Sequence, residues 1–271
     1  MKSLQLKVLS VVASALAVVG VAVAPQATAA ERNLVAFGDS VLADPDAGSY
    51  FAHRYDPSKG AGVDCPTSNN YAKRASAKLR LPVRDFSCSG AVSMSRGPQI
   101  FQQVDAAIRT GALSPATNRV VITTGFNDTY NHRDMSLSQI RKEFADRTAP
   151  QIERIKRAAP NARVQIVGYP TIGSGPYYCL FHFGPRPADS TFLPGIQDFE
   201  NKAQWMQVDL AARTGVQFLD MKPSTRNNGM CADANQRMWA GLVDFTAGDG
   251  NLPIHMNQRG HEHAANVIAR S

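Results

Sequence analysis

Short apolar runs bounded by turn residues recur along the chain, and they predict β-strands. Each run is rich in Val, Ile, Leu or Phe, which is typical of a strand buried on both faces of a sheet. The predicted strands are Asn33–Phe37, Leu81–Ser87, Arg119–Thr124, Arg163–Gly168 and Val216–Asp220.

Between these runs, apolar residues recur every three or four positions and predict helices. The predicted helices are Tyr71–Leu79, Gln99–Arg109, Ser136–Ala159, Gly195–Thr214 and a last helix that Asn257 caps and that runs through Ala269. Pro150 interrupts the third pattern, so we expect two helices or one kinked helix there. The stretches Asp44–Asn70 and Tyr169–Pro194 are rich in Gly and Pro and predict irregular surface loops.

Strands that alternate with helices predict a parallel sheet covered on both faces. We therefore expect an α/β fold: a three-layer α/β/α sandwich with a five-stranded parallel sheet in the flavodoxin-like order. Residues 31–271 are long enough to form this as a single domain.

The first thirty residues have the pattern of an export signal. Lys2 and Lys7 precede an apolar run from Val8 to Ala24, and the small residues of Ala27–Ala30 offer a cleavage site. The run is short of the roughly 20 residues that span a membrane, which favours cleavage over a retained anchor. We expect a secreted or cell-envelope protein with no stable membrane insertion after cleavage.

The formal net charge is +7, but the basic residues are scattered and form no long run. This distribution indicates a solvated surface rather than a nucleic-acid partner. We expect a monomer.

The cysteines are even in number, and in an exported chain this predicts two disulfides. Pairing Cys65 with Cys88 and Cys179 with Cys231 ties each of two long loops to a neighbouring element, so we favour it among the three possible pairings. A zinc site is the alternative, but the Cys-x2-Cys spacing typical of zinc ligands is absent from the sequence.

Candidate reactive groups follow three of the predicted strands. Ser40, Gly90 and Asn127 come two or three residues after a strand, so they share the carboxyl edge of the sheet. His255 lies just before the last helix. Acyl transfer needs a nucleophile, a base and hydrogen-bond donors that form an oxyanion hole. Ser40 Oγ is the candidate nucleophile and the His255 ring the candidate base. The candidate donors are the N–H groups of Ser40 and Gly90 and the Asn127 amide. Glycine at position 90 would let its backbone approach the oxyanion closely.

Four blocks of the sequence resemble, in order and spacing, the motifs of the SGNH (GDSL) hydrolases. They are Gly38-Asp39-Ser40, Gly90, Gly125-Phe126-Asn127-Asp128 and His255-Met256-Asn257-Gln258-Arg259-Gly260. The cysteine pattern looks most like the secreted actinobacterial lipase/esterase branch, which supports the pairing above. Asp39 and Asp128 are expected to brace their turns through backbone hydrogen bonds.

Leu252 stands where triad members of that family carry an aspartate, three residues before the histidine. The resemblance implies a Ser40–His255 dyad in which the carbonyl of Leu252, or one close to it, orients the ring. Asp244 or Asp249 folding back is the alternative. His261 and His263 are rival bases, but they lie on the last predicted helix and are better explained as surface or packing residues.

The resemblance implies a serine esterase or lipase that hydrolyses carboxylic esters, needs no cofactor and binds no metal. The alternatives are an acyltransferase, a carbohydrate O-acetylesterase and, with least support, a non-catalytic envelope-binding protein. The aromatic residues of Tyr169–Pro194 are expected either to form the wall of an acyl pocket or to pack beneath that loop.

Overall fold

The computed structural model describes residues 31–56, 58, 64–248 and 251–271. The predicted export signal and Asp249 lie outside the described residues. In the described part, the strands are β1 (Leu34–Gly38), β2 (Val83–Asp85), β3 (Arg119–Thr123), β4 (Arg163–Val167), β5 (Tyr177–Tyr178), β6 (Phe181–His182), β7 (Thr191–Phe192), β8 (Gln217–Leu219) and β9 (Val243–Asp244).

The central sheet has five strands in the order β2-β1-β3-β4-β8. Every neighbouring pair is parallel, and β1 lies between β2 and β3, with Leu34 opposite both Val83 and Arg119. This confirms the predicted α/β fold and its flavodoxin-like order. Two small ladders lie outside the sheet: β5 pairs antiparallel with β7, and β6 pairs parallel with β9.

Helices cover both faces of the sheet. They are α1 (Ser40–Ala43), α2 (Ala47–Arg54), α3 (Tyr71–Leu79), α4 (Ile100–Arg109), α5 (Phe126–Asn131), α6 (Leu137–Ala158), α7 (Pro194–Thr214), α8 (Lys222–Thr225) and α9 (Gln258–Arg270). Side chains of β1 alternate between two cores: Leu34 and Ala36 pack towards α3 and α9, whereas Val35 and Phe37 pack towards α4 and α6.

The prediction of an irregular stretch from Asp44 to Asn70 was wrong in part, because α2 lies within it. Asp46 caps this helix by accepting a hydrogen bond from the Ser49 backbone N–H at 2.9 Å. The helix has no buried residue, so it lacks the apolar periodicity by which helices are recognised in a sequence.

The alternative of two helices around Pro150 was also wrong, because α6 is one helix of 22 residues that includes the proline. Phe144 and Ile152 are both fully buried on either side of it. This continuous apolar face offsets the backbone hydrogen bond that proline cannot donate.

The disulfides pair as expected. The Cα atoms are 5.2 Å apart in Cys65–Cys88 and 4.9 Å apart in Cys179–Cys231. Among the described helices, none is long and apolar enough to cross a membrane.

Candidate active site

The turn after β1 places Ser40 at the first position of α1. A Cβ atom on Gly38 would lie 2.8 Å from the Thr123 carbonyl oxygen, so the chain can pass this close to β3 only with glycine. The buried Gln103 amide accepts from the Gly38 N–H and donates to its carbonyl, both at 2.9 Å. Asp39 caps α1 by accepting from the Val41 N–H at 2.9 Å. The expected bracing role of Asp39 is confirmed.

Asp39 is buried, and burial raises its pKa from 3.8 to about 7, opposed by the hydrogen bonds from Tyr169 and Val41. The Tyr169 hydroxyl donates to Asp39 Oδ2 and accepts from the Phe126 backbone N–H at 3.0 Å. One tyrosine therefore connects the turn before Ser40 to the start of α5, which contains Asn127. Tyr169 follows β4 by two residues. Ser40, Gly90 and Asn127 were predicted because they follow strands at a similar distance, but Tyr169 was missed in the sequence.

The Asn127 side chain is held at both ends of its amide. Its Nδ2 donates to the Ala91 carbonyl at 2.8 Å, and its Oδ1 accepts from the Tyr130 hydroxyl at 3.0 Å. Because Nδ2 carries two hydrogens, one remains to donate elsewhere. Tyr130 was missed in the sequence, where nothing distinguishes it from an ordinary exposed residue of a short helix.

Gly90 has a backbone φ of +81°, and a Cβ atom there would have open space around it. Glycine at this position is therefore favoured by its left-handed backbone, and the open space leaves its backbone accessible. The carboxylate of Asp128 holds the loop that follows, accepting from the backbone N–H groups of Ser93, Met94 and Ser95 at 2.9 to 3.0 Å. This confirms the bracing role expected of Asp128.

The ring of His255 is oriented by a backbone carbonyl, which belongs to Pro253. His255 Nδ1 lies 2.8 Å from the Pro253 oxygen, whereas the Leu252 carbonyl accepts from Asn251 Nδ2 at 2.9 Å. We expected the carbonyl of Leu252 or one close to it, and the carbonyl found is that of the next residue. Ile254, which lies between Pro253 and His255, has a φ of +57°, a strained conformation for a β-branched residue.

A carbonyl can only accept, so the proton of a neutral His255 is on Nδ1, and Nε2 keeps its lone pair. Burial lowers the pKa of His255 below its ordinary 6.5, and the negative charge of Asp44 partly offsets this. The net lowering leaves a neutral ring near pH 7, with an unprotonated nitrogen that can accept a proton.

Asp244 does not take the place of the missing carboxylate. It forms a buried ion pair with Arg237 and accepts from the Gly241 N–H at 2.9 Å. This alternative was therefore wrong.

The rival histidines have other partners. His261 is fully buried: its Nε2 lies 2.9 Å from Asp44 Oδ2, and its Nδ1 accepts from the Tyr71 N–H at 3.2 Å. His263 Nε2 lies 2.8 Å from Ser224 Oγ. His261 is thus a packing residue, as expected.

Asp44 was missed by the sequence reasoning. Its N–H donates to the Ser40 carbonyl at 2.9 Å, and its Oδ1 accepts from the Leu252 N–H at 3.0 Å. With Oδ2 on His261, this buried carboxylate joins the nucleophile helix, the loop before His255 and α9. Its only signal in the sequence is the short spacing from Ser40, which does not reveal partners more than 200 positions away.

The predicted site residues line one cavity of about 610 Å³: Ser40, Gly90, Asn127 and His255, together with Leu252. Its remaining wall is mostly apolar and includes Ile172, Tyr178, Leu180, Leu193, Ile196 and Trp239. Of the aromatic residues in the Tyr169–Pro194 loop, Tyr178 is buried and lines the cavity, whereas Tyr177, Phe181, Phe183 and Phe192 are exposed. Within the described residues, no group of three His, Cys, Asp or Glu side chains is placed to hold a metal ion.

A parallel α/β sheet with a serine, an asparagine and a histidine around one cavity at its edge is the arrangement of a carboxylic ester hydrolase. The family model of the GDSL-like lipase/acylhydrolases matches residues 36–263. The chain is a carboxylic ester hydrolase and belongs to this family.

Solved structures support the same fold. Phospholipase A1 from Streptomyces albidoflavus NA297 is similar at 20% identity and a TM-score of 0.54, over 88% of this chain and 99% of that one. The lipase/acylhydrolase from Enterococcus faecalis is similar at 15% identity and a TM-score of 0.50, over 88% and 94%. Est24, a carbohydrate acetylesterase from Sinorhizobium meliloti, is similar at 16% identity and a TM-score of 0.50, over 89% and 97%. The comparison with curated proteins gave no match.

Proposed function

We propose that the protein is an exported serine esterase that hydrolyses lipid or other acyl esters through a Ser40–His255 dyad and a covalent acyl-enzyme. The observation that carries this proposal is the single cavity lined by Ser40, Gly90, Asn127 and His255. Membership of the family supports ester hydrolysis as the reaction, and the lining of the cavity supports these four residues as the ones that perform it. Two disulfides in the chain support export, because they persist in oxidising compartments.

In the first step His255 Nε2 takes the proton of Ser40 Oγ, which attacks the ester carbonyl carbon. The Pro253 carbonyl keeps the other ring proton on Nδ1, which leaves the lone pair of Nε2 to accept the proton of the hydroxyl. A neutral carbonyl stabilises the resulting imidazolium less than a carboxylate would, but the orienting role is retained.

The negative charge that develops on the carbonyl oxygen is stabilised by the N–H groups of Ser40 and Gly90 and by the second Nδ2 hydrogen of Asn127. The hydrogen bonds of the Asn127 amide to Ala91 and Tyr130 support this role, because they fix the donor before substrate arrives. His255 then protonates the leaving alcohol as its bond to the acyl carbon breaks.

Water completes the cycle. His255 takes a proton from water, the hydroxide adds to the acyl carbon, and the Ser40 Oγ–carbon bond breaks as Oγ regains a proton from the ring. The free acid and the starting enzyme result.

The apolar wall of the cavity favours an acyl chain over a small acetyl group. Ile172, Leu180 and Ile196 would contact methylene groups, each of which contributes about 0.8 kcal/mol when buried. We therefore expect kcat/KM on p-nitrophenyl esters to rise from acetate towards medium-chain esters.

A fluorophosphonate probe tests the nucleophile. We expect covalent labelling of the wild-type protein and none of Ser40→Ala, with the same result for turnover of p-nitrophenyl butyrate. Normal turnover by Ser40→Ala would exclude the proposed mechanism.

The base is tested by comparing two histidines. His255→Ala is expected to lose activity, whereas His261→Gln, which keeps the hydrogen-bonding pattern of a neutral ring, is expected to retain it. The assignment of the base fails if His255→Ala is as active as the wild type.

A further inference from the structure

Exposed aromatic rings lie together beside the cavity. Phe183 is 59% exposed and Phe245 is 77% exposed, and their ring centroids are 5.7 Å apart. Phe181 continues the cluster, with its centroid 6.3 Å from that of Phe183. We define these residues, with the exposed Leu242 and Ile254, as the aromatic rim.

Backbone hydrogen bonds join the aromatic rim to the cavity wall. β6, which contains Phe181, pairs with β9, and the Leu242 N–H donates to the Leu180 carbonyl at 2.8 Å. The Ile254 N–H donates to the Gly241 carbonyl at 3.0 Å. Leu242 and Ile254 line the cavity and are also 49% and 46% exposed. Two members of the rim are therefore also part of the cavity wall, and the strand that contains Phe181 follows Leu180 of that wall directly.

Single exposed apolar residues are normal, but a contiguous apolar patch marks an interaction surface. Phe101 shows the contrast. It is 44% exposed on α4, a helix that contributes no residue to the cavity within the described part of the chain. The aromatic rim, by comparison, includes Leu242 and Ile254, which line the cavity.

We propose that the aromatic rim docks onto the surface of a lipid bilayer, so that an ester lipid enters the cavity directly from the bilayer. This inference rests on the proposed function and names the physical state of its substrate. Aromatic and aliphatic side chains insert at the boundary between headgroups and acyl chains, where buried apolar area drives binding. A second copy of the chain seated on the same residues would close the entrance, which favours a lipid surface as the occupant.

Vesicle binding tests the proposal without turnover. All proteins carry Ser40→Ala, and their binding to extruded phosphatidylcholine vesicles is measured by sedimentation. The Ser40→Ala parent is compared with three variants made in it: Phe245→Ser, Phe183→Ser/Phe245→Ser and the control Phe101→Ser. Residues 1–30 are the same in all four proteins, so their contribution cancels. We expect about tenfold weaker partition for the loss of one rim phenylalanine, roughly 10- to 100-fold for two, and less than about twofold for Phe101→Ser.

Equal sedimentation of the double variant and its Ser40→Ala parent would overturn the proposal, as would an equal loss in Phe101→Ser. Light scattering after size exclusion tests the other occupant: a dimer that the double variant converts to a monomer would assign the rim to self-association instead. Failure of the proposed function is distinguishable, since it appears as absent fluorophosphonate labelling, whereas sedimentation uses an inactive protein.

Discussion

The bond between Asp44 and His261 allows a stability prediction that depends on the state of one ring. The Tyr71 backbone N–H can only donate, so the Nδ1 of His261 that accepts from it carries no proton. The single proton of a neutral ring is then on Nε2, which donates to Asp44 Oδ2 at 2.9 Å. A glutamine reproduces this pattern, because its oxygen accepts and its amide nitrogen donates.

We expect His261→Gln to change the free energy of unfolding by less than about 1.5 kcal/mol. His261→Ala leaves a fully buried carboxylate without this donor and opens a cavity, which should cost about 3–5 kcal/mol. Asp44→Ala leaves the Leu252 N–H and the His261 Nε2–H unpaired, and at about 1–3 kcal/mol for each group the loss is about 2–6 kcal/mol.

Urea denaturation at pH 7 without reductant measures these differences as shifts in midpoint at a constant slope. The wild-type protein and all three variants keep both disulfides under these conditions. A glutamine variant as unstable as His261→Ala would refute the assignment of a neutral ring that donates at one nitrogen and accepts at the other.

Asn127→Ala should lower kcat roughly 10²- to 10³-fold with little effect on Tm, because an oxyanion donor is lost. Tyr130→Phe should lower kcat less, because the amide donor remains and loses only the hydrogen bond that orients it. Equal kcat values for the wild type and Asn127→Ala would contradict the assignment of this donor. Because burial lowers the pKa of His255, the acid limb of kcat/KM should have its midpoint below pH 6.5, and a midpoint above that value would argue against His255 as the base. Asp39 has a folded pKa of about 7 against 3.8 unfolded, so the folded state binds the proton more tightly, and its contribution to stability is full below pH 3.8 and is lost as pH rises through about 7. Between pH 5 and pH 8 this loss amounts to about 3 kcal/mol, and Asp39→Asn should remove it, so the stabilities measured by denaturation at these two pH values should differ less for the variant than for the wild type.

The sequence predicted the inner strands of the central sheet because they are buried on both faces. The five residues of β1 and of β3 are all buried, and such strands appear as plain apolar runs. A cap predicted the start of the last helix equally well, because Asn257 accepts from the Gly260 N–H in α9. Local chemistry decides these features, so a short window of sequence contains them.

The candidate residues at strand ends were predicted for a similar reason, since parallel strands bring their carboxyl ends to one edge. Contacts across the chain could not be predicted in this way. Asp44 contacts Leu252 and His261 only in the folded chain, and neither residue type nor spacing indicates these contacts. The carbonyl that orients the His255 ring could be predicted only to within a residue, because Ile254 has a positive φ that a β-branched residue rarely adopts.

The hydrogen bonds of Asp128 have a consequence for engineering. This carboxylate belongs to the same short helix as Asn127, yet it fastens the Ser93–Ser95 backbone that follows Gly90. The start of α5 and the Ser93–Ser95 loop, which are distant in sequence, therefore form one structural unit. A chimaera that exchanges one of them with a relative should carry the other across as well, or the imported piece will arrive without its anchor.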